Sequence, residues 1–128
     1  MRLSLPLWLA LAGVASATED PPIEVPSGQD VRFFDSVVDA PGTGLVYRFR
    51  FIAPELGRSV DFDTAAPDME HLCNTYALPR VPNQGPSPSQ IIISLSDRPV
   101  EFGNADPQAT QFFEAYAVVD EACVWEVY

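Results

Sequence analysis

Apolar and polar residues alternate most cleanly between Leu45 and Ala53. Leu45, Tyr47, Phe49 and Phe51 fall on one face of an extended chain, and Val46, Arg48, Arg50 and Ile52 on the other. An earlier run, VRFFDSVV within Asp30 to Val38, has the same strand character. The turn cluster Asp39-Ala40-Pro41-Gly42-Thr43-Gly44 between the two predicts an antiparallel hairpin.

The period then changes. Met69, Leu72, Cys73 and Tyr76 recur at i, i+3, i+4 and i+7, a helical stripe. Asp63-Thr64 before Ala65-Ala66-Pro67 reads as the helix start, with Pro tolerated in the first turn, and Pro79 as its stop. The spacing predicts a helix over about residues 65–78, with Asp68, His71, Asn74 and Thr75 on its polar face. Residues 79–90 (PRVPNQGPSPSQ) suit no regular element and read as a surface loop.

Gln90 to Leu95 (QIIISL) is β-branched and apolar, as in a central strand. Asp97-Arg98-Pro99 interrupts it, and Val100-Glu101-Phe102 is expected to resume it. A loop with one helical turn near Asp106-Pro107 follows. Two further strands, Gln111 to Val119 and Ala122 to Tyr128, meet at a tight Asp120-Glu121 turn. Cys123, Trp125 and Val127 share one face of the last strand, which points Cys123 at the core. The order strand, strand, helix, strands predicts an α+β fold, a mostly antiparallel sheet of about five strands with one packed helix.

The first seventeen residues, MRLSLPLWLALAGVASA, read as an export signal. Arg2 gives the positive end, Leu3 to Val14 the apolar stretch, and Ala15-Ser16-Ala17 the small residues at the cleavage site. The apolar run falls short of the ~20 residues that span a bilayer. Cleavage after Ala17 is expected, followed by an extended arm over 18–28 and a single domain over 29–128. The product is expected in the periplasm or secreted, with no stable membrane insertion.

Export changes the reading of the two cysteines. In an exported chain of this size Cys73 and Cys123 are expected to pair, closing a loop of about fifty residues, for which chain entropy gives up to about 4 kcal/mol. A redox pair would more usually show Cys-x-x-Cys spacing.

Charge narrows the partners. The chain carries a formal net charge of −11, and all of its cationic side chains but His71 are Arg. Such a surface repels phosphate backbones and anionic lipid, so nucleic-acid binding is not expected. It can attract a cationic partner, or simply keep an exported protein soluble.

LVYRFRFIAPE, MEHLCNTYALPR, PSQIIISLSDRPVEFG and TQFFEAYAVVDEACVWE together resemble a small exported family of Gram-negative bacteria of unknown function. The resemblance implies no activity, cofactor or catalytic residue. The family's last hairpin usually carries Asp-Gly, where this chain has Glu121 in the Gly position.

Residues that could carry chemistry are few. His71 is the single histidine, and any Ser-His-Asp or Cys-His mechanism would need it. It lies about 200° round the helix from Cys73, so a solvated position is expected. One His and two paired Cys do not make a zinc site. Asp61, Asp63, Asp68 and Glu70 could offer oxygens to Ca²⁺, but their spacing is not an EF-hand's, and acids near a helix N-terminus complement its dipole. No metal, cofactor or catalytic residue is therefore assigned. Arg48 and Arg50 are the candidate site for an anion or a partner's carboxylates, with cross-strand pairing to Glu114 or Glu126 as the structural alternative.

Two functional classes remain. One is a non-enzymatic module that binds a protein partner, including an inhibitor of a cationic enzyme; the absence of a catalytic motif leans this way. The other is a small hydrolase using paired carboxylates.

Overall fold

The computed structural model describes residues 21–39, 44–82, 88 and 90–126. The expected export signal, residues 40–43 of the first turn cluster, most of the Pro-rich stretch, and Val127 and Tyr128 lie outside the described residues.

Five strands form one sheet in the order β1 (Arg32–Asp39), β2 (Val46–Ile52), β3 (Gln90–Ser96), β4 (Gln111–Val119) and β5 (Ala122–Trp125). β1–β2, β3–β4 and β4–β5 are antiparallel, and β2–β3 is parallel. A parallel neighbour needs a crossover, and helix α1 (Phe62–Leu72) lies in that connection. The fold is α+β, as the sequence pattern predicts.

The faces of β2 divide as its alternation requires. Phe49 and Phe51 are buried, and Met69, Leu72 and Cys73 of the helical segment belong to the same core. Ile91, Ile93 and Leu95 extend that surface on β3. Phe33, Phe49, Phe51 and Tyr76 form an aromatic cluster with ring centroids 5.3–6.4 Å apart, and Arg80 lies 3.6 Å over the Tyr76 ring. Each fully buried apolar side chain in such a layer contributes about 1.5–3 kcal/mol.

The helix starts earlier than the sequence suggests. Asp61, in an extended conformation (φ −92°, ψ −179°), is the N-cap, and its carboxylate accepts from Thr64 N at 2.9 Å. That bond holds the Asp61 carboxyl below its ordinary pKa. Phe62 is thus the first helical residue, and Pro67 falls inside the helix rather than in its first turn. Pro79 does not stop the helix outright. Helical backbone runs on as a π-turn over Cys73–Ala77 and a 3-10 turn over Leu78–Arg80, with Leu78 N–H donating to Cys73 O, five residues back. Pro79 has no N–H to give the Thr75 carbonyl, and the widened turn precedes it.

Asp68 is the larger surprise. The helical period places it on the polar face, yet it is fully buried. Its carboxylate accepts from Ser27 N (2.9 Å), Ser27 Oγ (2.6 Å) and Gln29 Nε2 (2.8 Å). These bonds clasp the N-terminal segment to α1. Val25 is buried in the core, and Ile23 N–H donates to Val31 O at 2.8 Å. Residues 23–29 are therefore docked against the body of the domain.

Candidate functional site

Arg48 and Arg50 project from the sheet face opposite α1, as their alternation on β2 requires. The Arg50 guanidinium pairs with Asp35, with Nε to Oδ1 at 2.7 Å and Nη2 to Oδ2 at 3.0 Å. It also donates twice to Val100 O, at 2.9 and 2.8 Å. Phe34 and Phe102 lie 5.0 and 5.5 Å from its central carbon. Arg48 stands 5.5 Å from the same Phe102 ring.

Neither acid named from the sequence is Arg50's partner. Glu114 sits opposite Ile93 in the β3–β4 register, on the helix side of the sheet. Glu126 accepts instead from Gln90 Nε2 at 2.8 Å. The β1 bulge between Phe33 and Asp35 shifts the register and sets Asp35 opposite Arg50.

Val100 explains this arrangement. The expected resumption of β3 at Val100-Glu101-Phe102 does not form. Pro99 lacks the N–H a ladder needs, and the chain turns back over the sheet as a loop from Asp97 to Thr110. Its neck is closed by Asp97 N to Thr110 O and Thr110 N to Asp97 Oδ1, both 3.0 Å. Arg98, bonded to Asp97, lowers the Asp97 pKa, with Thr110 N adding to the effect. Gly57 abuts the same neck: a Cβ there would sit 2.8 Å from Thr110 Oγ1, and its φ of 80° favours glycine independently. Near Asp106, where a helical turn is expected, the loop makes a single hydrogen-bonded turn with no helix, Ala109 N to Asp106 O at 3.1 Å. Arg50 tethers the first part of the loop at Val100, and Arg48, Arg50, Ser94, Val100, Phe102 and Phe113 surround a recess of about 240 Å³.

The loop closes only part of this face. Ile92, Ser94 and Ser96 of β3 are buried. Toward the β5 edge, Phe113, Val119 and Val124 remain 57, 48 and 47% exposed. Phe113, Ala115, Ala117 and Val119 follow one another on this face of β4, and Val124 pairs with Ala117. The sequence held the signal for this surface. Phe112 and Phe113 are adjacent in a strand, so only one can face the helix.

Cys73 and Cys123 lie with their sulfurs at bonding distance, 2.06 Å, joining the π-turn to β5. Beside them Asn74 Oδ1 accepts from Cys123 N at 2.9 Å, and Asn74 Nδ2 donates to Glu70 O at 3.1 Å. Asn74 therefore bridges helix and strand rather than serving only as a solvated position. His71 is half-buried in the last turn of α1, where its carbonyl accepts from Thr75 Oγ1. The four acids considered for Ca²⁺ do not converge. Asp61 caps the helix and Asp68 is taken by Ser27 and Gln29, and no group of acids, His or Cys among the described residues could hold a metal ion.

No curated protein and no solved structure matches the chain. A family model does match, over residues 8–128, nearly its whole length. The chain thus belongs to DUF6497, a family of unknown function.

Proposed function

We propose that this chain is an exported, non-enzymatic binding module whose protein partner docks on the open sheet face over β4 and β5, beside Arg48. The observation that carries this reading is the apolar row Phe113, Ala115, Ala117, Val119 with Val124, three of whose side chains are about half exposed. Contiguous apolar patches of this kind on a domain surface favour burial against another protein. The net charge of −11 favours a cationic partner and speeds its approach. An inhibitor of a cationic enzyme is one form of this activity. The leader-like N-terminus, the joined cysteines and the lack of a helix long and apolar enough to cross a membrane among the described residues support export.

The test is capture and cross-linking of a partner from the exported fraction, using the wild-type protein and Phe113→Asp. A cationic partner should be held in a salt-sensitive way, cross-link through β4 or β5, and be lost from Phe113→Asp at unchanged melting temperature. Val124→Asp should repeat the loss. Retention of the same partner by both variants overturns the reading. So does turnover of a substrate that one Asp or Glu substitution abolishes. N-terminal sequencing of the exported protein should begin at Thr18, and a start at Met1 would remove the export step.

A further inference from the structure

On the helix side of the sheet, α1 leaves a groove between itself and the β4–β5 hairpin. Its volume is about 460 Å³. One wall is the α1 stripe Asp63, Ala66, Pro67 and Glu70, at i, i+3, i+4 and i+7. The other side is Glu114 and Tyr116 of β4 with Trp125 of β5, and Tyr116 and Trp125 are direct cross-strand neighbours. Phe62, edge-on to Phe112 with centroids 5.4 Å apart, also lines it.

Three carboxylates line this groove and no cationic residue does. Tyr116, only 2% exposed, also lines it, and its hydroxyl has no hydrogen-bond partner among the described residues. The Tyr116 oxygen is not fully shut off from solvent, so a donor entering the groove can reach it. Trp125 is 55% exposed, and an indole face is the best aromatic surface for a cation. Burial raises the Tyr116 pKa, and the Glu114 and Glu70 carboxylates raise it further, so the phenol stays neutral beside negative charge.

We propose that this groove binds an arginine side chain presented by a polypeptide partner. The chemistry of the lining selects that group. Acid walls exclude anions. A guanidinium is planar, stacks on an indole and carries five N–H donors, enough for Glu70, Glu114 and the Tyr116 oxygen together. A lysine ammonium offers three donors on a point charge and stacks less well, and a quaternary ammonium offers none and leaves the carboxylates and Tyr116 unpaired. The groove lies on the opposite side of the sheet from Phe113, so this site goes beyond the docking face and does not depend on it.

The experiment is an NMR titration of the exported protein, following the indole Nε1–H of Trp125, with blocked Gly-Arg-Gly and its lysine and citrulline counterparts. The arginine peptide should shift the resonance saturably. The lysine peptide should bind several-fold more weakly, and the neutral citrulline peptide should not bind. Glu70→Gln with Glu114→Gln should weaken arginine binding at least about tenfold through loss of charge-assisted hydrogen bonds. Tyr116→Phe should weaken it a few-fold without lowering the melting temperature. Phe113→Asp should bind the peptide as wild type does, which separates this site from the sheet face. Equal binding of the citrulline peptide, unchanged affinity in the double variant, or free arginine binding as tightly as the peptide would each overturn the proposal.

Discussion

The two halves of the sheet are held by different means. Over β2 and β3, both faces are largely covered. The helix and the Phe33, Phe49, Phe51, Tyr76 cluster cover one, while the Arg50-tethered loop covers much of the other. Every residue of β3 but Gln90 is buried. In β5 only Cys123 is buried. That hairpin is fixed to the helix by the Cys73–Cys123 pair and by Asn74. One half is packed and the other is stapled. A strand pair attached by a few strong points can keep apolar side chains exposed without unravelling, and both surfaces proposed for binding lie on that half.

The sharpest way to break this comparison is to delete one phenyl ring from each half. Phe51→Ala removes a fully buried ring from the packed half and should cost about 3–5 kcal/mol. Phe113→Ala, on the stapled half, should cost under about 0.5 kcal/mol, as expected for a surface position. Denaturant unfolding of the two variants reads both. Comparable losses would mean that β4 is packed as tightly as β2.

Removing the staple comes next. Cys73→Ser with Cys123→Ser opens a closed chain loop of 50 residues' separation and should cost about 2–4 kcal/mol. Hydrogen exchange of the variant should rise first in β5 and the adjoining part of β4, while β2 and β3 keep their protection. Uniform loss across all five strands would show that the halves unfold as one.

Much of the packed half was legible in the sequence, and the physical reason is periodicity. The β2 alternation and the Met69, Leu72, Cys73, Tyr76 stripe name their own buried faces, since one periodic element suffices to define a face. The cysteine pairing was legible because a leader-like N-terminus makes two thiols in so small a chain read as a pair. What stayed hidden depends on contacts between segments far apart in sequence. Asp68 has the right period for a solvated face, and only Ser27 and Gln29, about forty residues away, make its burial tolerable. Arg50's partner depends on a one-residue bulge in β1, which no alternation announces. The groove needs two elements brought together, Glu70 on α1 and Glu114 on β4, whose carboxylates read separately as ordinary surface acids.

The loop tether gives a smaller effect. Arg50→Gln removes the Asp35 pair and weakens the hold on Val100 O. Arg50 is largely buried but Asp35 is substantially solvated, so the loss should be about 1–2 kcal/mol, more than a surface pair and less than a fully buried one. Amide exchange should rise within the Asp97–Thr110 loop and leave β5 unchanged, the reverse of the cysteine variant. A response in β5 would join the two halves through the loop.

The smallest expected effect lies at the tip of the stapled half and has the opposite sign. Asp120 and Glu121 have φ of 52° and 63°, the pair of left-handed residues that a type I′ hairpin turn requires. Asp tolerates that region, and Glu does so less well, because its Cβ crowds the backbone at a cost of roughly 1–2 kcal/mol. Glu121→Gly relieves the crowding, but glycine's freer unfolded chain takes back roughly 0.5–1 kcal/mol. The net gain should be about 0.5–1 kcal/mol, read by denaturant unfolding. Glu121→Ala keeps the Cβ and should gain nothing, so the pair of variants separates turn strain from removal of a charge. If β4–β5 is held by its staple while the turn is strained, Glu121→Gly should also slow exchange in β5 of the cysteine-free protein. Equal gains from Gly and Ala would place the cost in the acidic side chain and leave the turn geometry unstrained.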